Sequence, residues 1–234
     1  MDSSTALSQR DGTLDAVLRL LDRQLIDCDG ALAGKVDDIE LLVSHDGHLV
    51  VSGLLCSVPA LLPRFGSRRH GEWLLERWRR LGPTRADRTT PDWIDVADIA
   101  GLDSAVHLRR PRDRIAVPQP PGRDVRRLDE LLGMEVDSTG AHVLDVRLSP
   151  GDGLGREPVR VVGLIVGRGR PGSFFGYERS PRQGPWLVAH VIGWLHRHTT
   201  YLPWEQVERI AWGEGLIQCM APAEPGSRRD QMDR

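Results

Sequence analysis

The sequence predicts a mainly β protein made of two tandem copies of one small module, each copy carrying an inserted amphipathic helix. Three observations carry that expectation. Four blocks recur in the same order about 110 residues apart. Short apolar segments are separated by Gly-centred turns, and one stretch in each half switches to helical periodicity. Residues 21–41 (LDRQLIDCDGALAGKVDDIEL) answer residues 128–148 (LDELLGMEVDSTGAHVLDVRL). Val51-Ser52-Gly53-Leu54-Leu55 answers Val162-Gly163-Leu164-Ile165, with Gly53 opposite Gly163, and Phe65-Gly66 answers Phe175-Gly176. Trp93-Ile94-Asp95-Val96 with Ile99 then answers Trp204-Glu205-Gln206-Val207 with Ile210.

Taken in order, residues 1–13 are polar and form a disordered start. Leu14, Val17, Leu18 and Leu21 have helical spacing and predict a short lead-in helix to the first module, residues 14–110. A strand over 24–28 meets the Asp29-Gly30 turn, where glycine supplies a positive φ. Residues 35–43 alternate apolar and charged, and 48–58 are almost continuously apolar, the pattern of a strand buried on both faces. In 71–81, Trp73, Leu74, Leu75, Trp78 and Leu81 interleave with charged residues and predict an amphipathic helix ended by Gly82-Pro83. A strand-and-turn unit over 89–108, anchored by Trp93, closes the module.

Proline and arginine crowd residues 109–127, and 111–124 is expected as an extended linker. The second module, 125–220, repeats the plan with strands over 133–136, 141–148 and 159–166 and a helix over 186–198. Its closing segments are 199–210 and 216–220, and residues 221–234 form a polar, disordered tail.

Composition narrows the function. Thirty-one basic residues stand against 33 acidic ones, a net of −2, which argues against bulk electrostatic capture of nucleic acid. Lys35 is the sole lysine, a bias of the kind a high-GC genome imposes, so the arginines are no evidence of phosphate recognition. Cys28, Cys56 and Cys219 are widely spaced, without a C-x-x-C, and fit a reducing compartment. No signal peptide and no apolar run of about 20 residues is found, so a cytoplasmic location is expected.

Ile26-Asp27, Asp29-Gly30 and Gly34-Lys35-Val36-Asp37-Asp38-Ile39 in the first copy resemble the opening of the PRC-barrel family. So do Val136-Asp137, Gly140 and Val143-Leu144-Asp145-Val146 in the second, which closes with Leu202-Pro203-Trp204. The second copy departs from the pattern between Gly140 and Val143, where it is three residues shorter and lacks the glycine that matches Gly34. Both copies add the helix-bearing insertion. The resemblance implies two tandem six-stranded, SH3-like small β-barrels, a fold whose closure removes exposed sheet edges. It also implies a docking module without catalysis of its own, as in the reaction-centre H subunit and the ribosome maturation factor RimM.

Candidate reactive groups have plainer explanations. His190, His196 and His198 do not converge on one helix face as zinc ligands must, since 196 and 198 point about 160° apart. His45-Asp46 with His48 lacks a nucleophile context and suits a turn. Asp27, Asp29, Asp37 and Asp38 do not have EF-hand spacing and are expected as solvated strand and turn carboxylates. Gly167 to Gly172 has no Lys-Ser/Thr and is expected as a hairpin, with Arg168 and Arg170 beside Phe174 and Phe175 able to grip an anionic partner.

The seven tryptophans carry the remaining signal. Trp93 and Trp204 match and are expected as core anchors. Trp73 and Trp186 match at helix starts, with Trp78 and Trp194 further along beside arginines. Tryptophan and arginine are enriched at interface hot spots, so Trp73, Arg77, Trp78, Arg168, Arg170, Trp186 and Trp194 are the expected partner interface. The reading is a non-enzymatic scaffold or adaptor for a protein partner, with no cofactor, metal or small-molecule substrate expected. One alternative is a ribosome- or RNA-associated factor using Arg64, Arg68, Arg69, Arg77, Arg79 and Arg80. The other is a peripheral membrane component that depends on Trp186 and Trp194.

Overall fold

A computed structural model describes residues 12–64, 68–81, 90–120, 124–137, 139–149, 158–167 and 199–220. The described chain is mainly β, in three sheets. None of these ladders closes into a barrel among the described residues, where a pair of closed barrels is expected.

The first half begins with β1 (Leu14–Asp15) and α1 (Ala16–Arg19), where a single longer lead-in helix was expected. β2 (Gln24–Ile26) and β3 (Leu32–Lys35) form a hairpin, and β4 (Asp38–Val43) pairs antiparallel with β5 (Leu49–Cys56). After α2 (Val58–Leu61) and α3 (Arg68–Leu81), β6 (Asp92–Asp95) returns to β5. A 3₁₀ turn at Val96–Asp98 leads into β7 (Ile99–Leu102), and β8 (Val106–Leu108) pairs with β7 and, in parallel, with β2.

The second half repeats this order. β11 (Glu135–Val136), β12 (Ala141–Leu148), β13 (Val161–Gly167) and β14 (Thr200–Pro203) correspond to β2, β3–β4, β5 and β6. A 3₁₀ turn at Trp204–Gln206, then β15 (Val207–Ala211) and β16 (Leu216–Cys219), close it, with β16 parallel to β11. The registers agree residue by residue. Glu40 faces Gly53 and Leu41 faces Val51, with a bulge between them; Arg147 faces Gly163 and Leu148 faces Val161, with the same bulge. A β-bulge adds local twist and bends the strand, so its recurrence at one position marks a shared architecture.

Residues 111–120, expected as extended linker, are partly built in. A 3₁₀ turn at Arg112–Arg114 precedes buried Ile115, and β9 (Val117–Pro118) pairs with the outer edge of β6.

The halves are joined by exchange. β10 (Val125–Arg127), which leads the second copy, pairs with β4 of the first, and α4 (Leu128–Leu131) follows it. β1, which leads the first copy, pairs with β12 of the second. Thus Arg127 lies opposite Glu40, and Asp15 lies opposite Arg147 in the matching position. Val50 and Arg160, equivalent by register, form a bridge with each other, as residues on a two-fold axis must. One apolar cluster runs through both halves, from Leu25, Ile39 and Leu54 to Val136, Val146 and Leu164. The two copies are therefore packed as a pseudo-symmetric pair with a common core.

Candidate functional site

α3 lies between β5 and β6 and rests on the 3₁₀ turn at Leu62–Arg64. Gly71 makes the seat. A Cβ there would stand 2.4 Å from the Pro63 carbonyl oxygen, so only glycine lets the helix lie directly against that backbone. Leu74, Leu75 and Trp78 are half-buried on the same side.

Trp73 is not on that side. By the 100° step it stands about 150° around the helix from the mean direction of Gly71, Leu74, Leu75 and Trp78. It is 56% exposed, and the Arg77 guanidinium stacks over its ring at 5.4 Å. The five apolar residues read as one stripe are thus split: Trp78 turns inward, its indole N–H buried without an acceptor among the described residues, while Trp73 and Arg77 turn outward. A guanidinium over an aromatic face is a cation–π contact, and it holds the two side chains against each other.

The outer face is basic. Arg79 and Arg80 flank Glu76, at 3.9 and 3.1 Å, and Arg80 is mostly exposed. Arg77, Arg79 and Arg80 outnumber Glu72 and Glu76 on the exposed side and leave it with a small net positive charge. Arg64, grouped with these residues in the RNA reading, faces inward, where it donates to the Asp37 carbonyl at 2.8 Å and pairs with Asp22 at 3.6 Å. Arg168, Arg170, Trp186 and Trp194 lie outside the described residues, as do the residues 186–198 expected as a helix, with His190, His196 and His198.

The other candidates resolve into structural roles. Asp46 accepts from the Ser44 hydroxyl and from the His48 N–H, which is turn chemistry as expected. The acidic residues 27, 37 and 38 are not solvated. Asp27 accepts the N–H groups of Asp29, Ala31 and Arg112 at 3.0, 2.8 and 3.0 Å, pinning the residues after β8 to the β2–β3 turn. Those bonds, led by that from Arg112, hold its carboxyl below the ordinary range. Asp37 accepts from Ser57 N at 2.7 Å and meets Lys35 at 3.1 Å; burial nevertheless pushes its carboxyl up. Only Asp29 of the four is exposed.

Register also corrects one match. Trp93 corresponds to Tyr201, and Trp204 to Val96. Trp93 lies across Gly53 and donates to Glu40 at 2.8 Å; Tyr201 lies across Gly163 and donates to the Val162 carbonyl at 2.8 Å. Trp204 remains a core residue, buried and stacked near His48 of the other half at 6.2 Å.

An open depression of about 490 Å³ is lined in part by Gln119, Arg126, Arg127 and Glu130. Its cations are already engaged, Arg126 with Glu130 and the Trp212 ring, Arg127 with the Pro59 carbonyl and Gln119. Among the described residues no group of three or more His, Cys, Asp or Glu side chains could hold a metal ion, and no helix is long and apolar enough to cross a membrane. No family model matches the sequence, and no curated protein matches it.

Proposed function

We propose that this chain is a non-enzymatic adaptor of two PRC-barrel-like modules that docks a protein partner on the outer face of α3. The observation that carries this reading is Trp73, exposed on the side of the helix turned away from the body and stacked under Arg77. Aromatic and arginine anchors of this kind dominate interface energies because they desolvate a large area at little cost in side-chain entropy. The partner is acidic where it contacts α3, since Arg77, Arg79 and Arg80 outnumber Glu72 and Glu76 on the exposed side. The pseudo-symmetric packing of the halves supports the same reading, because a common core presents α3 from a rigid base. RNA binding draws less support, because Arg64, one of the arginines that reading needs, is engaged internally.

The test is crosslinked affinity purification of the tagged chain from its native cells, run beside Trp73→Ala and Arg77→Glu. Recovery of one dominant acidic protein that both variants lose supports the proposal. Recovery of ribosomal proteins or RNA, or of partners that both variants retain, overturns it.

A further inference from the structure

Asp38 and Asp145 are equivalent by register, and each receives the arm of the other half. Asp145 accepts the N–H groups of Val17 and Leu18, at 2.7 and 3.2 Å, from the first turn of α1. Asp38 accepts the N–H of Asp129, at 3.3 Å, from the first turn of α4. Each aspartate also accepts the N–H of its own successor, Ile39 at 2.8 Å and Val146 at 2.6 Å.

The copies then differ at the residue that meets this aspartate. Where the first arm has Val17, the second has Asp129, which brings a second carboxyl to Asp38. The bond from the Asp129 N–H sets the two side chains beside each other. Asp38 Oδ2 and Asp129 Oδ1 are both shut off from water, and neither accepts from any described group. Two ionised carboxylates cannot satisfy each other, because both only accept; one proton between them makes one a donor and pairs both oxygens. The other groups around Asp38 fit a single shared charge. Arg127 on β10 is the cation that faces it, β5 offers the apolar Leu55 opposite, and the remaining α4 carboxylate, Glu130, is taken by the Arg127 N–H and Arg126.

We propose that the β10–α4 arm is a proton-operated latch, closed on β4 while Asp38 and Asp129 share one proton and loosened when that proton leaves to solvent. Loss of the proton places negative charge on two neighbouring oxygens shut off from water, and the arm is the part that can move away. The arm carries Leu128 and Leu131, both buried in the common core, so its release opens apolar surface between the halves. Burial and the neighbouring Asp129 both disfavour ionised Asp38, which sets release on the alkaline side of the ordinary carboxylate range. The first arm also has a carboxyl at its cap, Asp15, but that one is engaged by Arg147 at 2.8 and 3.2 Å. This latch lies apart from α3 and is independent of the docking proposal.

The experiment is amide hydrogen exchange on the full chain between pH 5 and pH 9, normalised for intrinsic exchange, with the amides of Ile39 and residues 128–132 as readout. Wild type is expected to lose protection there by about tenfold per pH unit once the shared proton titrates. Asp38→Asn, whose amide donates to Asp129 as the shared proton does, is expected to abolish that dependence and leave Val17 and Leu18 unchanged. Asp129→Asn gives a second variant with the same expected result. Independently of both, the wild-type carboxyl ¹³C resonance of Asp38 is expected to titrate well above the ordinary range. Protection that does not change with pH, the same slope in either folded variant, or an Asp38 carboxyl titrating in the ordinary range would overturn the latch.

Discussion

Asp15 and Arg147 face each other across the junction of the halves, joined by two hydrogen bonds at 2.8 and 3.2 Å. Their counterparts, Arg127 and Glu40, stand opposite each other with the charges reversed. Each arm therefore meets an opposite charge on the cradle of the other copy and would meet a like charge on its own. Such reversal selects against the wrong pairing as well as for the right one. Asp15→Arg should cost roughly 2 kcal/mol, since both side chains are mostly buried and the change sets two guanidiniums together. Asp15→Arg with Arg147→Asp should recover most of it. Urea unfolding of the three proteins checks this, and a double variant no better than the single one would contradict it.

The matched glycines should differ in tolerance. A Cβ on Gly53 would stand 2.1 Å from Trp93 Nε1 and 2.8 Å from the Ile94 carbonyl, so ring and backbone would both have to move. On Gly163 the nearest atoms all belong to the exposed Tyr201 ring. Gly53→Ala should cost about 2–3 kcal/mol and Gly163→Ala about 1 kcal/mol or less, by thermal unfolding.

Burial pushes the Asp145 carboxyl up to about 7, against the pull of the Val17, Val146 and Leu18 N–H groups. A folded-state value above the unfolded one means that the folded chain binds more protons across that window. The stability contribution is full below about pH 4 and is lost as pH rises through about 7. Asp145→Asn should flatten the slope of unfolding free energy between pH 5 and pH 8. An unchanged slope in the variant would assign it to other groups.

On α3 the two faces should separate. Trp73→Ala should shift unfolding free energy by less than about 0.5 kcal/mol, as surface changes do, while Trp78→Ala should cost about 2 kcal/mol through lost packing. Equal losses would mean that Trp73 helps hold the helix to the body.

Much of this was legible in the sequence because it rests on local patterns. The Gly53 and Gly163 blocks marked equivalent strands, and the periodicity of 71–81 marked α3. What was missed depends on distant partners. Asp38 looked solvated because the arm that covers it comes from about 90 residues further along the chain. The arms have two- and three-residue strands, too short for a period, and Arg126-Arg127 had the composition of a linker. Trp204 was matched to Trp93 by residue identity, whereas the register needs any flat ring over a glycine, and Tyr201 supplies it. Trp73 joined the wrong stripe because the spacing of apolar residues does not show which of them meets Pro63.

The rigid presentation of α3 and the carboxyl latch both follow from the exchange of arms between the halves, and a disulfide reads that exchange directly. Leu14 faces Leu148 of the second half, and the position equivalent to Leu148 in its own half is Leu41. In a chain with Cys28 and Cys219 replaced by serine, Leu14→Cys with Leu148→Cys should form an intrachain disulfide in the monomer under mild oxidation. Leu14→Cys with Leu41→Cys should form none. The reverse outcome would place each arm on its own module and contradict the account.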